Sequence, residues 1–246
     1  MRWDRAGARP FVLGGSTTPA VKALLIANVA VFLFQWVARS MVQVRIESTF
    51  GLVPFEVVHH LYLWQLVTYL FLHNGLMHIG FNMLALWMFG NELESLWGTK
   101  KFLRFYFITG IGAAILSTLV APNSYTIIIG ASGAIYGLLA AYGVLFPDRI
   151  ILLYFVLPIR AKYLVLILGV ITFWFSVSGT GGGVAHVAHL GGMLFGWLYL
   201  RGPRLPRLGN PLGAYERWKR NRLRKKFQVY YQRTRGEDEG PEDDRR

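Results

Sequence analysis

A single serine stands among glycines in the stretch Gly130-Ala131-Ser132-Gly133, at the start of a strongly apolar run. The turn before it, residues 121–124, contains a proline and no charged residue. A hydroxyl in this position has two ordinary uses, because serine is a favoured N-cap of a helix and is also a nucleophile when a base lies beside it. Ser132 is therefore a candidate for covalent chemistry, with helix capping as the alternative.

Other polar side chains lie in apolar segments elsewhere in the chain. His189 is in one such segment, and His78 and Asn82 are in another, four residues apart and so on one face of a helix. Tyr136 has the same spacing from Ser132. Polar groups inside membrane segments are rare and usually functional. These five side chains are the candidates for a shared site.

The composition indicates which kind of element must position these side chains. Of 246 residues, 54% are hydrophobic and 16% are charged, a balance typical of a membrane protein. The absence of cysteine from the sequence excludes a disulfide framework and a thiol nucleophile. We expect one helical membrane domain at 20–201, between an N-terminal segment at 1–19 and a C-terminal tail at 202–246.

Six apolar runs of about 17 to 22 residues match the length that a bilayer core of roughly 30 Å requires. Two other apolar stretches fit the interfaces better: residues 56–71 as an outer amphipathic segment with histidines and aromatic rings, and residues 150–158 as an inner connector. The sequence thus predicts an all-α membrane protein with six transmembrane helices. They are expected near 20–39, 71–91, 101–121, 131–147, 161–178 and 184–201.

The distribution of basic residues predicts the direction of the spans. All 26 lysines and arginines except Arg39 and Arg45 lie at the chain ends or in the loops after the second and fourth spans. By the positive-inside rule, the N- and C-termini are both cytoplasmic. Topology therefore accounts for the net charge of +13, and no nucleic-acid partner is expected.

The predicted topology brings the candidate side chains to a similar depth. At about 1.5 Å per helical residue, the serine, the two histidines and the asparagine lie about 15 to 24 Å from the charged inner ends of their helices. Two pairs of glycines four residues apart, Gly133 with Gly137 and Gly192 with Gly196, favour close packing of the fourth and sixth helices. Such packing is what a serine–histidine hydrogen bond needs.

This set of residues is suited to acyl transfer. A serine becomes a nucleophile when a base lies within about 2.6–3.2 Å, and His189 is the candidate base in the membrane. All thirteen acidic residues lie outside the spans or at their inner ends, so no carboxylate can orient the imidazole. We expect a Ser–His dyad in which stacking on Tyr136 replaces the carboxylate. The Ser132 N–H, Asn82 and His78 would hold the oxyanion.

At this point the chain resembles the rhomboid intramembrane serine proteases, over about residues 20–201. Three motifs in order carry the resemblance: His73-Asn74-Gly75-Leu76-Met77-His78 followed by Asn82, Gly130-Ala131-Ser132-Gly133 with Tyr136, and His189-Leu190-Gly191-Gly192 with Gly196. The resemblance implies a six-helix bundle whose fifth helix is a movable gate for the substrate. It implies an endopeptidase that forms an acyl-enzyme and cuts other membrane proteins within or near their transmembrane segments, without a cofactor.

The resemblance also implies residue roles. Ser132 is then the nucleophile, His189 the general base, and His78 and Asn82 the oxyanion contributors, with Gly130 and Tyr136 counted as support. The sequence departs from the family at Trp64-Gln65, where Trp-Arg is frequent, which bears on how the first outer loop is anchored. His186 lies three residues before His189 and is the other possible base; the glycines after His189 favour His189, with His186 lining the cavity.

Three other functions compete with this reading. A rhomboid-like protein could bind transmembrane clients without cutting them, although such proteins typically lack the serine or the histidine. A metal or haem site could use the histidines at 73, 78, 186 and 189, but no H-E-x-x-H motif or intramembrane acid accompanies them. A transporter is disfavoured because intramembrane acids and visible inverted repeats are absent from the sequence.

Surroundings and partners follow from the same patterns. We expect a multi-pass protein of a bacterial cell (inner) membrane, whose partners are lipids and transmembrane protein substrates. Basic and aromatic residues alternate over 217–235, which predicts a segment that rests on anionic headgroups, before an acidic end that is expected to be disordered. The oligomeric state is left open.

Overall fold

The computed structural model describes residues 16–41, 46–153, 156–178 and 183–202 of the chain. The predicted N-terminal segment at 1–19 is therefore described only from residue 16. The basic and acidic parts of the predicted tail lie outside the described residues.

Most of the described residues are helical. Helix α1 (Pro19–Met41) is followed by three short helices, α2 (Glu47–Phe50), α3 (Pro54–His59) and α4 (Gln65–Thr68), and by a 3₁₀ turn at Tyr69–Phe71. The chain continues through α5 (Leu76–Trp97), α6 (Thr99–Val120) and α7 (Ser132–Leu145). A hairpin of β1 (Ile150–Leu153) and β2 (Leu157–Arg160) then leads to α8 (Ala161–Val177) and α9 (Gly183–Arg201).

Three of these helices, α1, α6 and α9, are long and apolar enough to cross a membrane. Helices α7 and α8 are apolar but shorter, with 14 and 17 residues. The prediction of a mostly helical protein with membrane-spanning helices is therefore supported. The count of six spans and the cytoplasmic termini stay predictions.

The second predicted span is displaced along the chain: the helix expected near 71–91 occupies Leu76–Trp97. Its ends are set by Gly75 and Gly98, which have φ angles of +93° and +78° in the region that favours glycine. The carboxylate of Glu92 does not end the helix, because it accepts hydrogen bonds from Tyr142 OH at 2.7 Å and from an Arg149 amino group at 2.6 Å.

A second carboxylate, Glu94, is buried in the same helix and joins it to the start of α1. It accepts hydrogen bonds from the backbone N–H groups of Ala20 and Val21, both at 2.9 Å. The hydroxyls of Thr18 and Thr99 also donate to it, at 2.5 and 2.6 Å. Because the first N–H groups of a helix have no partner within it, this side chain caps α1 from 73 or more residues away.

The connector predicted at 150–158 is an antiparallel β-hairpin, an element that the prediction of an all-α protein did not include. Ile151 pairs with Ile159 in the ladder, and Ile151 is buried against the helices. Isoleucine favours extended backbone, because its branched side chain packs well on a pleated surface. Pairing of the two strands satisfies the backbone groups that face each other, without a helix.

The core of the described residues includes the contacts of α7 with α6 and α9. Glycines set the spacing there: a Cβ at Gly192 would collide with the carbonyl oxygen of Gly133, and one at Gly196 would lie 2.9 Å from the carbonyl oxygen of Gly137. Both predicted glycine pairs thus meet across the α7–α9 contact, as the sequence indicated.

The segment before α5 is anchored by Gln65, which is fully buried. Its Oε1 accepts a hydrogen bond from the Val53 N–H at 2.9 Å, and its Nε2 donates to the Thr49 carbonyl at 3.2 Å. The neighbouring Trp64 Nε1 donates to the same carbonyl at 2.9 Å. The departure from Trp-Arg therefore still leaves the segment with side-chain anchors. Its placement at the outer interface stays a prediction.

Candidate active site

Ser132 is the first residue of α7, and its Oγ lies 2.8 Å from Nε2 of His189 on α9. The glycine contacts between the two helices allow this approach. The capping alternative finds no support, because Ala131 occupies the N-cap position and no side-chain capping hydrogen bond is made. A serine hydroxyl within hydrogen-bond distance of an imidazole is the arrangement that general-base activation requires.

The imidazole of His189 is stacked on Tyr136, one turn along α7 from the serine. The two ring centroids are 4.3 Å apart and the rings are parallel to within 1°. Nδ1 of His189 is buried and has no hydrogen-bond partner among the described residues. Within that part of the chain, the orientation of the ring therefore depends on packing and on the serine, with no carboxylate as a third member.

Gly130 brings its backbone against two further candidates. Its φ of +122° lies in the region that favours glycine, and a Cβ there would lie 2.7 Å from His78 Nε2 and 3.6 Å from Asn82 Nδ2. The N–H of Gly130 donates to the carbonyl of Tyr69 at 2.9 Å, so it is engaged in fixing the loop. Glycine is thus needed both for the turn and for the approach of the two side chains.

The hydrogen bonds of His78 assign its tautomer. Its Nδ1 accepts a hydrogen bond from the Asn74 N–H at 3.2 Å, so in the neutral ring the proton is on Nε2, the atom beside Gly130. Nδ2 of Asn82 is buried and has no hydrogen-bond partner among the described residues. Two side-chain donors thus converge on the loop immediately before Ser132.

His73, to which the sequence assigned no role in catalysis, packs edge-on against His78 with ring centroids 5.1 Å apart. Its backbone N–H donates to Gln35 Oε1 of α1 at 2.9 Å. His186 packs edge-on against His189 at 5.9 Å, while its other contact is a stack with Phe175 of α8 at 5.4 Å. The structure therefore pairs the serine with His189 and gives His186 a neighbouring position.

Thr172 of α8 was missed by the sequence reasoning. It is 3% exposed, and its Oγ1 donates to the hydroxyl of Tyr136 at 3.5 Å. The signal that could have found it is the rarity of polar side chains within apolar spans. The metal alternative gains no support, since the described residues contain no group of three or more histidine or acidic side chains placed to hold an ion.

Comparison with known proteins gives the family to which the chain belongs. The family model described as the Rhomboid domain matches residues 60–202. The chain is 30% identical to the rhomboid protease AarA of Providencia stuartii over 210 residues, which cover 76% of this chain and 74% of that protein. It is 34% identical to the rhomboid protease GluP of Bacillus subtilis over 148 residues, 59% of this chain and 27% of that protein.

A mitochondrial relative, rhomboid protein 1 of Saccharomyces cerevisiae, is 35% identical over 141 residues, which cover 52% of this chain and 38% of that protein. The matches to GluP and to the yeast protein thus span well under half of those two proteins. The domain match covers more than half of this chain, and the AarA match covers most of both proteins. The chain is therefore an integral membrane protein that belongs to the rhomboid family.

Proposed function

We propose that the chain is an intramembrane serine endopeptidase that cuts other membrane proteins within or near their transmembrane segments. The observation that carries the proposal is the 2.8 Å separation of Ser132 Oγ and His189 Nε2 between two tightly packed helices. Relatives that are named rhomboid proteases support it, and AarA is matched over most of its length.

The proposed reaction has two halves that use the same imidazole. His189 Nε2 accepts the proton of Ser132 as the oxygen bonds to the substrate carbonyl carbon, and it then gives that proton to the leaving amine as the peptide C–N bond breaks. The resulting acyl-enzyme is an ester of Ser132. A water molecule gives a proton to the same nitrogen as it attacks the ester. The nitrogen returns that proton to the Ser132 oxygen as the ester bond breaks, which releases the new carboxyl end and restores the serine.

The negative oxygen of each tetrahedral intermediate is assigned to the donors beside Gly130. These are the N–H of Ser132, the Nε2–H of His78 and the amide Nδ2 of Asn82. The N–H of Ser132 is in the first turn of α7, where N–H groups have no partner within the helix. Donors fixed in place before the reaction stabilise developing charge, because they need no reorganisation.

In the membrane, we place α1 and α5 to α9 as the six spans. Both termini then lie in the cytoplasm, and the serine lies toward the outer side of a bacterial cell membrane. The 14 residues of α7 measure about 21 Å, less than a bilayer core of roughly 30 Å. One end of α7 must then lie below a membrane surface. A recessed serine end would allow water to reach the dyad within the membrane.

Cleavage of a transmembrane substrate by purified protein in liposomes tests the proposal. We expect the wild type to cut, Ser132→Ala not to cut, and Ser117→Ala to cut like the wild type. Ser117 is a matched control because it is a buried serine of α6 whose hydroxyl donates to the Ala113 carbonyl of its own helix at 3.0 Å and to the Val184 carbonyl of α9 at 3.4 Å. Equal cleavage by Ser132→Ala and the wild type would contradict the proposed nucleophile.

The same assay separates the proposed protease from a rhomboid-like binding protein. A wild-type chain that binds the substrate in the liposomes and leaves it intact would be assigned to the binding class. Mass spectrometry of the products gives the cleaved bond, which we expect toward the outer end of the substrate helix. A substrate that unwinds locally there is favoured, because an intact helix hides its carbonyls.

A further inference from the structure

Helix α8 has one polar side chain that is buried far more deeply than its neighbours. Thr172 is 3% exposed, whereas Phe173 and Trp174 are 58% and 67% exposed. Phe175 lies three residues after Thr172 and is 41% exposed, less than either of these two aromatic residues. Thr172 is therefore turned toward the protein and Phe175 lies at the edge of the same face, while most of the large side chains of α8 are turned away from it.

Thr172 is connected to the candidate dyad through Tyr136. Its hydroxyl donates to the hydroxyl of Tyr136 at 3.5 Å, and the ring of Tyr136 is stacked on His189 at 4.3 Å. A hydrogen bond at the hydroxyl fixes the position of the far end of the tyrosine and so holds its ring against the imidazole. Because the two rings are parallel and stacked, the position of the tyrosine limits the planes that the imidazole can occupy.

Phe175 is connected to the same imidazole by a second route. Its ring is stacked with His186 at 5.4 Å and 24°, and His186 meets His189 edge-on at 5.9 Å and 77°. The imidazole of His189 thus contacts two rings, and each of these rings is held by a side chain of α8. Since Nδ1 of His189 has no hydrogen-bond partner among the described residues, these contacts are the restraints available to the ring there besides Ser132.

We propose that Thr172 and Phe175 are positioning residues that hold the imidazole of His189 in its reactive orientation, Thr172 through Tyr136 and Phe175 through His186. This inference rests on the proposed function. In a triad, a carboxylate restrains the imidazole. Here α8 restrains the imidazole instead, through the rings of Tyr136 and His186. The position of α8 and the reactivity of the serine are therefore linked.

The kinetic test compares the rates of variants with conservative substitutions on α8. Thr172→Val removes the hydroxyl and keeps the shape, Thr172→Ser keeps the hydroxyl, and Phe175→Leu removes the ring. We expect Thr172→Val and Phe175→Leu to lower kcat about threefold to tenfold at unchanged KM, since an aromatic pair or hydrogen bond contributes about that factor. Thr172→Ser should recover most of the rate. Phe173→Leu, on the exposed face of α8, is the matched control and should cut like the wild type.

A spectroscopic test does not depend on activity. We would record ¹⁵N-labelled histidine spectra of the wild type and the α8 variants in micelles, with the ring signals assigned by His186→Gln and His189→Gln. Thr172→Val and Phe175→Leu should shift the His189 ring signals, and Phe173→Leu should not. Unchanged His189 signals in both variants would overturn the inference, whether or not the protein cuts substrate.

The two tests also separate the possible failures. If the wild type cuts substrate and Thr172→Val and Phe175→Leu cut at its rate, the positioning roles are wrong while the protease assignment stands. If the wild type neither cuts nor reacts at Ser132, the proposed function fails, and the histidine spectra still decide whether α8 restrains the ring.

Discussion

Two buried polar clusters on α5 differ in how completely their atoms are bonded. Near the end of the helix, the two carboxylate oxygens of Glu94 accept four hydrogen bonds from α1, its preceding residues and the start of α6. Near its beginning, the Nδ2 of Asn82 has no hydrogen-bond partner among the described residues. The same is true of Nδ1 of His189, which lies with Asn82 in the candidate site.

The difference separates a structural cluster from a reactive one. A fully bonded buried group stabilises the fold, whereas an unpaired buried donor costs stability and calls for an explanation. At Asn82 the explanation is the proposed oxyanion, which forms only during the reaction. The clusters are 12 residues apart on one helix, about 18 Å. We therefore expect substitutions in the Glu94 cluster to change stability, and substitutions in the cluster of Asn82 and His189 to change the rate of cleavage.

The largest effect on rate is expected for His189→Phe. The phenylalanine ring can still stack on Tyr136, but it has no nitrogen to accept the serine proton. Cleavage should fall by at least about 10³-fold, about 4 kcal/mol in the barrier. The thermal unfolding midpoint should stay within about 3 °C of the wild type. Cleavage at more than a tenth of the wild-type rate would show that another group is the base.

The largest effect on stability is expected for Glu94→Ala. The substitution leaves the N–H groups of Ala20 and Val21 and two hydroxyls without their acceptor. The loss should be at least about 3 kcal/mol, because four hydrogen bonds to a charged group are lost and each contributes about 1.5–3 kcal/mol. Thermal unfolding in detergent measures it, with Glu56→Gln as control, at a half-buried carboxylate that bonds to His60 four residues away. An unfolding midpoint equal to that of the wild type would contradict the assignment of Glu94 to a structural cluster.

Asn82→Ala should give the opposite pattern. We expect cleavage to fall up to about 10²-fold, since one oxyanion donor is lost while His78 and the Ser132 N–H remain. The stability should be unchanged or slightly higher, because the buried Nδ2, which has no hydrogen-bond partner among the described residues, is removed. Rates and unfolding midpoints measured on the same preparation decide this. A large loss of stability at an unchanged rate would reassign Asn82 to the structural class.

Gln65 extends the comparison to a smaller effect. It is buried and bonded, so we place it in the structural class. Gln65→Leu leaves the Val53 N–H without its acceptor, which should cost about 1–2 kcal/mol locally. Hydrogen exchange at Val53 should become faster, while Gln65→Glu, which keeps the acceptor oxygen, should change it less. Equal exchange in all three proteins would mean that this side chain does not anchor the segment.

The sequence predicted the dyad because its members are conspicuous. Ser132 and His189 are polar residues in apolar segments, and the glycines beside them indicated which helices approach. The sequence assigned no role to Glu94 beyond a place outside the spans or at an inner end, because its hydrogen-bond partners at and just before the start of α1 lie 73 to 76 residues away and no local pattern shows them. Only the folded structure brings the Glu94 carboxylate to the backbone N–H groups at the start of α1.

Other features escaped the sequence for similar reasons. In the sequence, nothing distinguishes Thr172 from other residues of an apolar helix. Its role depends on Tyr136, which only the structure places beside it. The hairpin of β1 and β2 has an apolar sequence that is compatible with either a helix or strands, and the pairing partner decides between them. The displacement of α5 follows from the glycines at its two ends, and Arg149 and Tyr142 provide Glu92 with partners from other elements.

The most direct measurement of the central claim is labelling with a fluorophosphonate, which reacts with activated serines, followed by mass spectrometry of the labelled peptide. The proposed dyad predicts a single labelled residue, Ser132, in the wild type and in Ser117→Ala. It predicts no labelling in Ser132→Ala and at least about 10³-fold slower labelling in His189→Phe. Label at another residue, or wild-type labelling of Ser132 in His189→Phe, would contradict the account.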